Sequence, residues 1–404
     1  MLPAWTRHLA PGIEPADVDL TAAVSLPAAW ARNWAADPDR LAVHDGDGWT
    51  TAGELDELTR RCAARYAAAG LVPGDRVVVS AAACVDLVVA HVAALRAGLV
   101  VIPVNAAYRQ REVEQIARDA NPAAAIIDDL TFGGWVADAS NRDVFVRTPT
   151  DVARDTSAVG DASSLQLDAS ASADDAMLCY TSGTTGTPKG ARLTHGNILA
   201  SPEALRLAWR WTADDRLVLA LPLFHMHGLG IGLHGSLLAG AGVLLLPRFD
   251  PDAVLDTARD LGGTMFFGVP TMYDRLVASP RCAELAELRL CVSGSAPLPP
   301  ALFSALQEQA GLTVLERYGM TETLMNVSNP FDGERRAGTV GFPLPGVDLM
   351  LAPDGEILVR GPNVFPGYWE RPEANEASFS DADDGGDPWF HSGDIGEFDA
   401  DGYL

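Results

Sequence analysis

The sequence has almost no lysine. Of its 29 basic residues only Lys189 is a lysine; the rest are arginine. An Ala-, Gly- and Arg-rich bias explains the shortage but not why one lysine was kept, or why there. Basic charge is short overall, 29 Lys and Arg against 54 Asp and Glu, for a net charge of −25. Sequence-independent binding of DNA or RNA needs a basic footprint, which argues against a nucleic-acid partner. Cysteine is scarce too. Cys62, Cys84, Cys179, Cys282 and Cys291 are odd in number and form no CxxC pair, which argues against a disulfide framework or a zinc site. Cys179 and Cys291 lie in apolar runs and read as small core residues. The opening MLPAWTRHLAPGIEPADVDL lacks the apolar stretch of a secretory signal. The longest stretch free of formal charge, Leu217–Pro247, is long enough to span a bilayer. It holds Pro222, three histidines and many glycines, so it reads as a buried strand, loop and helix, and no membrane insertion is expected. A reducing cytoplasm fits these features.

What is present is a globular chain. Its 404 residues are 48% hydrophobic and 21% charged, enough for a large core and too apolar for whole-chain disorder. WTTAGELDELTRRCAARYAAAG is an amphipathic helix pattern behind Thr51, with Gly70 as its stop. DRVVVSAAACVDLVVAHVAALRAGLVVIPVN reads strand, helix, strand, and AAAIID reads as another strand. That order predicts an α/β fold with mostly parallel sheets flanked by helices. Residues 148–176 are rich in Ser, Ala and Asp and read as a polar linker. Beyond Gly338, GVDLMLAPDGEILVRG predicts short strands with a hairpin turn at Pro353-Asp354-Gly355. The expected division is a first α/β subdomain over 1–170, a second over 171–335 and a β-barrel-like subdomain over 336–404.

The strongest local signal is MLCYTSGTTGTPKGARLTH, residues 177–195. An apolar strand enters a loop of glycines and hydroxyl residues that ends on the lone lysine. Glycines let several N–H groups point into one concavity. Thr181, Ser182, Thr184 and Thr185 add hydroxyls, Gly183 and Gly186 give backbone freedom, and Lys189 adds a compact positive charge. Together these suit polyphosphate oxygens. A flexible surface linker is the competing reading, and a lysine kept against the composition bias argues against it. The spacing is not that of a Walker loop.

This run resembles the signature loop of the adenylate-forming enzymes, which include acyl-CoA synthetases, peptide-synthetase adenylation domains and luciferases. Further motifs follow in that family's order: VSGSAPL (292–298), ERYGMTET (316–323), GTVGFPLPG (338–346), GEILVRG (355–361) and HSGDIGEFDADGYL (391–404). The resemblance implies a two-step reaction. A carboxylate attacks the α-phosphate of ATP, and a thiol, coenzyme A, then displaces AMP. By resemblance, Thr181, Ser182, Gly183, Thr184, Thr185, Gly186 and Lys189 cradle the β- and γ-phosphates. Thr321 contacts the α-phosphate, and Glu322, with Thr184, holds Mg2+. Tyr318 stacks on adenine, flanked by Gly294, Ser295, Ala296 and Pro297, with Arg317 and Gly319 beside it. Asp394 accepts from the ribose hydroxyls. Thr181, Lys189, Thr321 and Glu322 are the expected catalytic set. Singly, Thr321 and Asp394 could be caps and Tyr318 a core residue.

LPLFHMHGLG (221–230) resembles the family's acyl-pocket motif. His225 stands where amino-acid-activating relatives usually carry an aspartate, which disfavours an α-amino acid. Arg248 and Arg289 flank strands that approach that pocket in the family fold. A buried arginine needs an anion; surface positions at strand ends are the competing reading. The pattern looks most like the malonyl-CoA synthetase subgroup. Malonate, or methylmalonate, is therefore the expected acid, with His225, Arg248, Arg289, Ser293, Met320 and Met325 as its contacts. Fatty-acid or aryl-acid ligases are one alternative, and a non-catalytic nucleotide-binding module another. Family members continue past DGYL into a hinge and a small lid domain with a second lysine. The resemblance thus implies a large N-terminal domain without its lid, expected to bind substrates but turn over poorly. Lys189, Arg248, Arg289, Arg317, Arg335 and Arg336 are expected to focus positive potential in the cleft for the anionic substrates. Oligomeric state is not legible.

Overall fold

A computed structural model describes residues 3–21, 24–155, 165–181, 188–382 and 384–404. The nine-stranded sheet runs, edge to edge, through Phe342–Pro343, Val327–Ser328, Leu315–Tyr318, Leu290–Ser293, Met265–Gly268, Arg216–Leu219, Gly242–Leu245, Leu41–His44 and Trp49–Thr51. The six strands from Leu315–Tyr318 to Leu41–His44 are parallel neighbours. Four of them, Gly242–Leu245, Met265–Gly268, Leu290–Ser293 and Arg216–Leu219 beyond its first residue, are buried throughout. Sheets covered by helices on both faces need such continuously apolar strands.

The seven-stranded sheet runs Gly367–Tyr368, Lys189–Thr194, Asp175–Thr181, Val100–Pro103, Arg76–Ser80, Ala124–Ile127 and Phe145–Arg147. Its strands and the helix Val85–Arg96 match the strand–helix–strand pattern. The helix Ala52–Ala68 carries a reciprocal capping box between Thr51 and Glu54. Gly70 beyond it has φ +85°. A four-stranded antiparallel sheet, in the order Asp348–Leu351, Glu356–Arg360, Trp389–Ile395 and Phe379–Ser380, closes the chain. Gly355, at the turn of its first hairpin, has φ +89°.

The division expected at residues 170 and 335 does not follow the sheets. Leu41–His44 pairs with Gly242–Leu245, so an early strand completes the second sheet. Asp175–Thr181 belongs to the first sheet through Val101 and Met177, and Gly367–Tyr368 joins its edge beside Lys189–Thr194. Each sheet takes strands from distant stretches, and one core of buried residues runs from Leu20 to Phe390. The expected linker is partly structured too. Thr148 caps a short helix, Pro149–Arg154, and the next strand begins at Asp175. Among the described residues no helix is long and apolar enough to cross a membrane.

Candidate nucleotide and acid site

In open parallel sheets, ligands gather beyond the carboxyl ends of the strands. Here Leu290–Ser293 leads into Gly294-Ser295-Ala296-Pro297, and Leu315–Tyr318 leads into Gly319-Met320-Thr321-Glu322. Ser295 turns at φ +67° and Leu324 at φ +55°. Gly319 is enforced by packing, since a β-carbon there would sit 1.9 Å from the Leu324 carbonyl oxygen. These turns open a cavity of 760 Å³, lined by Ser295, Ala296, Pro297, Arg317, Tyr318 and Asp394 among others. The Tyr318 hydroxyl donates to Asp394 Oδ2 at 2.6 Å. Thus the residues expected at adenine and ribose come together from different sheets.

Ser182, Gly183, Thr184, Thr185 and Gly186 lie outside the described residues. The two ends of their loop are placed. Thr181 and Lys189 are direct partners across the hairpin of Asp175–Thr181 and Lys189–Thr194. Thr181 Oγ1 donates to Glu322 Oε1 at 3.3 Å, and the Tyr368 hydroxyl donates to the same oxygen at 3.0 Å. Lys189 Nζ lies 5.1 Å from the centre of the Tyr368 ring. Burial, then the charge of Glu322, raises the Tyr368 hydroxyl well above its usual range. Tyr368 therefore joins the phosphate-loop lysine to the expected magnesium carboxylate, a role the sequence did not reveal. Thr321 is half-buried on the same turn. One buried carboxylate beside a hydroxyl fits Mg2+, which is commonly held by one or two protein carboxylates plus phosphate oxygens and water. Among the described residues no group of three His, Cys, Asp or Glu is arranged to hold a metal alone.

On the acid side the structure redraws the expected contacts. Arg289 precedes Leu290, at the amino end of its strand, about 13 Å along the strand from the cavity end. Its fork is filled by Asp215, and it also donates to the carbonyls of Trp209 and Arg210. Burial pushes the Asp215 carboxyl up, but hydrogen bonds from Arg289, Thr212 and Thr264 outweigh it and hold the pKa low. Arg289 thus already has its anion in Asp215. Arg248 is exposed and forms no ion pair among the described residues; Asp250 instead caps the helix Pro251–Leu261. Arg335 is held by the backbone carbonyls of Thr313, Pro330 and Phe331, and Arg336 by Glu334, Asp399 and Asp401. His225 is exposed with its ring against Phe224. Ser293 and Met325 are buried, and Met320 is half-buried.

Arg317, by contrast, is a buried arginine at the cavity end of its strand. It is 3% exposed, and its Nε and Nη2 have no hydrogen-bond partner. Burial lowers its pKa to about 9. The guanidinium lies against Gly294, where a β-carbon would be 2.4 Å from Cζ. His227 is near enough to feel its charge. Nδ1 of His227 is 3.2 Å from Ser295 Oγ, and its Nε2 and Ser293 Oγ are unpartnered. Glu316, on the other face of the strand, accepts from Leu298 N–H at 2.7 Å but leaves Oε2 unpartnered. Burial raises its pKa to about 7. Two charged residues inside the apolar run TVLERYGM were the available signal for both.

The AMP-binding enzyme family matches residues 30–369. The oxalate–CoA ligase of Arabidopsis thaliana is 35% identical over 398 residues, covering 91% of this chain and 75% of that protein. A feruloyl-CoA synthase of Amycolatopsis is 35% identical over 382 residues, with the same two shares. A solved malonyl-CoA ligase, in a product complex with methylmalonyl-CoA and AMP, superposes with a TM-score of 0.76 at 40% identity. That match covers 90% of this chain and 76% of the other. The chain belongs to the AMP-binding enzyme family, and its relatives are acid–CoA ligases.

Proposed function

We propose that this chain activates a short dicarboxylic acid, malonate or methylmalonate, as its adenylate for transfer to coenzyme A. One carboxylate of the acid attacks the α-phosphorus of ATP, pyrophosphate leaves, and the thiol of coenzyme A then displaces AMP. The observation that carries the substrate class is Arg317. A buried guanidinium with free N–H groups and no carboxylate beside it is costly until an anion arrives. A second carboxylate, lying under Gly294 beside His227 and Ser293, would supply that anion and accept a charge-assisted pair of bonds. A monocarboxylate would leave Arg317 unpaired, which is how a buried polar group rejects an analogue lacking its partner.

On the nucleotide side, Tyr318 offers a face for adenine and Asp394 a carboxylate for the ribose. Lys189, Thr181 and Thr321 border the triphosphate. Glu322 would hold Mg2+, which neutralises phosphate charge when bound. Asp394 also occupies the Tyr318 hydroxyl at present, so the ribose must share or displace that bond. The reading is tested by thermal unfolding in MgATP with an acid panel. Malonate and methylmalonate should raise Tm; butyrate and ferulate should raise it less. An equal or larger rise with ferulate would move the assignment to the aryl acids.

A further inference from the structure

The strand Trp389–Ile395 loses its register against Glu356–Arg360 where it reaches the nucleotide cavity. Glu356 pairs with Ile395, and Leu358 with His391. One residue on the first strand thus faces three, Ser392, Gly393 and Asp394, on the second. An enlarged bulge of this kind leaves backbone groups unpaired and re-aims a side chain. Here it aims Asp394 at Tyr318. Gly393 takes φ +75°, which favours glycine.

A single side chain replaces the lost pairing. Glu356 Oε1 accepts from the Gly393 N–H at 2.9 Å, and Oε2 accepts from His391 Nδ1 at 2.8 Å. The carboxylate fixes the tautomer, since it can only accept. His391 Nε2 then accepts from Ser380 Oγ at 3.0 Å on the other neighbouring strand. Ser392 Oγ accepts from the Asp394 N–H inside the bulge. The bulge is thus clamped from both flanking strands through one carboxylate and one imidazole. Neither Glu356 nor His391 lines the cavity.

We infer that Glu356, through His391 and Gly393, is a positioning residue that sets Asp394 for the ribose hydroxyls. This rests on the reading of Asp394 as the ribose acceptor. The clamp gives the glutamate of GEILVRG and the histidine of HSGD one joint role.

The test is calorimetric titration with ATP and with 2′,3′-dideoxy-ATP of the unaltered chain and of Glu356→Ala, Glu356→Gln and Asp394→Ala. The unaltered chain should prefer ATP by about 10-fold, the worth of a hydrogen bond to a charged acceptor. Asp394→Ala should abolish the preference. Glu356→Ala should weaken ATP binding several-fold while leaving dideoxy-ATP affinity unchanged, and Glu356→Gln, which keeps the Gly393 contact, should recover most of it. A merely structural glutamate would instead lower Tm and weaken both nucleotides equally, and that result, or full preference retained in Glu356→Ala, overturns the inference. If neither the unaltered chain nor Asp394→Ala distinguishes the two nucleotides, the ribose reading itself fails and the inference falls with it.

Discussion

The guanidinium of Arg317 occupies the space that a side chain on Gly294 would need, with Cζ 2.4 Å from where its β-carbon would stand. The pair explains two sequence features at once: the glycine of VSGSAPL and a charged residue inside a buried strand. Gly294→Ala should therefore displace Arg317 and weaken malonate binding about as much as Arg317→Leu does. Calorimetry with malonate on both variants checks this. Nucleotide affinity should change little in Arg317→Leu, because the partner proposed for it is the acid.

Arg317→Leu should also leave stability unchanged or raise it. A buried charge without a partner carries an uncompensated desolvation cost, which an apolar residue removes. Urea midpoints of the two proteins measure it. A large loss of stability would mean that the guanidinium has a structural partner.

Arg289→Leu should behave in the opposite way. It strands Asp215, which is 3% exposed, at a cost of about 3 kcal/mol. Malonate affinity should survive wherever the variant remains folded. A fall in Tm with unchanged malonate binding is the expected outcome.

Glu322→Gln should reduce the contribution of Mg2+ to ATP binding. Glu322 is the buried carboxylate beside Thr181, where the phosphate loop departs. Titrating ATP with and without Mg2+ should show a smaller metal effect in the variant. Tyr368→Phe, which removes one bond to the same oxygen, should have a weaker effect in the same assay.

Acid should destabilise the fold early. Burial lowers the imidazole pKa of His8 and His195 to about 4 and of His91 to about 3. For His8, a backbone carbonyl contact only partly offsets burial. His91 Nε2 lies 2.7 Å from His234 Nε2, a contact that requires one unprotonated nitrogen. The unfolded chain takes up protons near pH 6.5, before the folded one. The stability from these neutral imidazoles is complete above about pH 6.5 and falls with pH towards the folded values, by about 3 to 5 kcal/mol per group at the limit. Urea midpoints between pH 7.5 and 4.5 should fall steeply, with net proton uptake on unfolding.

Much of the nucleotide side was legible because its residues lie in contiguous motifs. Tyr318, Glu322 and Asp394 each sit in a recognisable run, and the fold brings Glu322 to Thr181 and Asp394 to Tyr318. The acid side was harder to read because the placement of its candidate arginines depends on strand direction. Arg289 and Arg317 both border apolar strands. Only the parallel register places Arg289 at the closed end with Asp215 and leaves Arg317 at the open end. The sheets cross the expected subdomain boundaries for a related reason, since a strand's sheet is set by partners such as Val101 and Met177, which lie far apart in sequence. Tyr368 and Glu356 were hidden because their roles are contacts with other strands.

The proposed substrate class turns on whether Arg317 reads a second carboxylate. The most direct measurement is calorimetric titration of malonate and its monomethyl ester, in the presence of MgATP, on the unaltered chain and on Arg317→Leu. The unaltered chain should prefer malonate by at least about 10-fold, the worth of a charge-assisted pair, and Arg317→Leu should bind both acids equally weakly. Undiminished preference for malonate in Arg317→Leu would contradict the proposal.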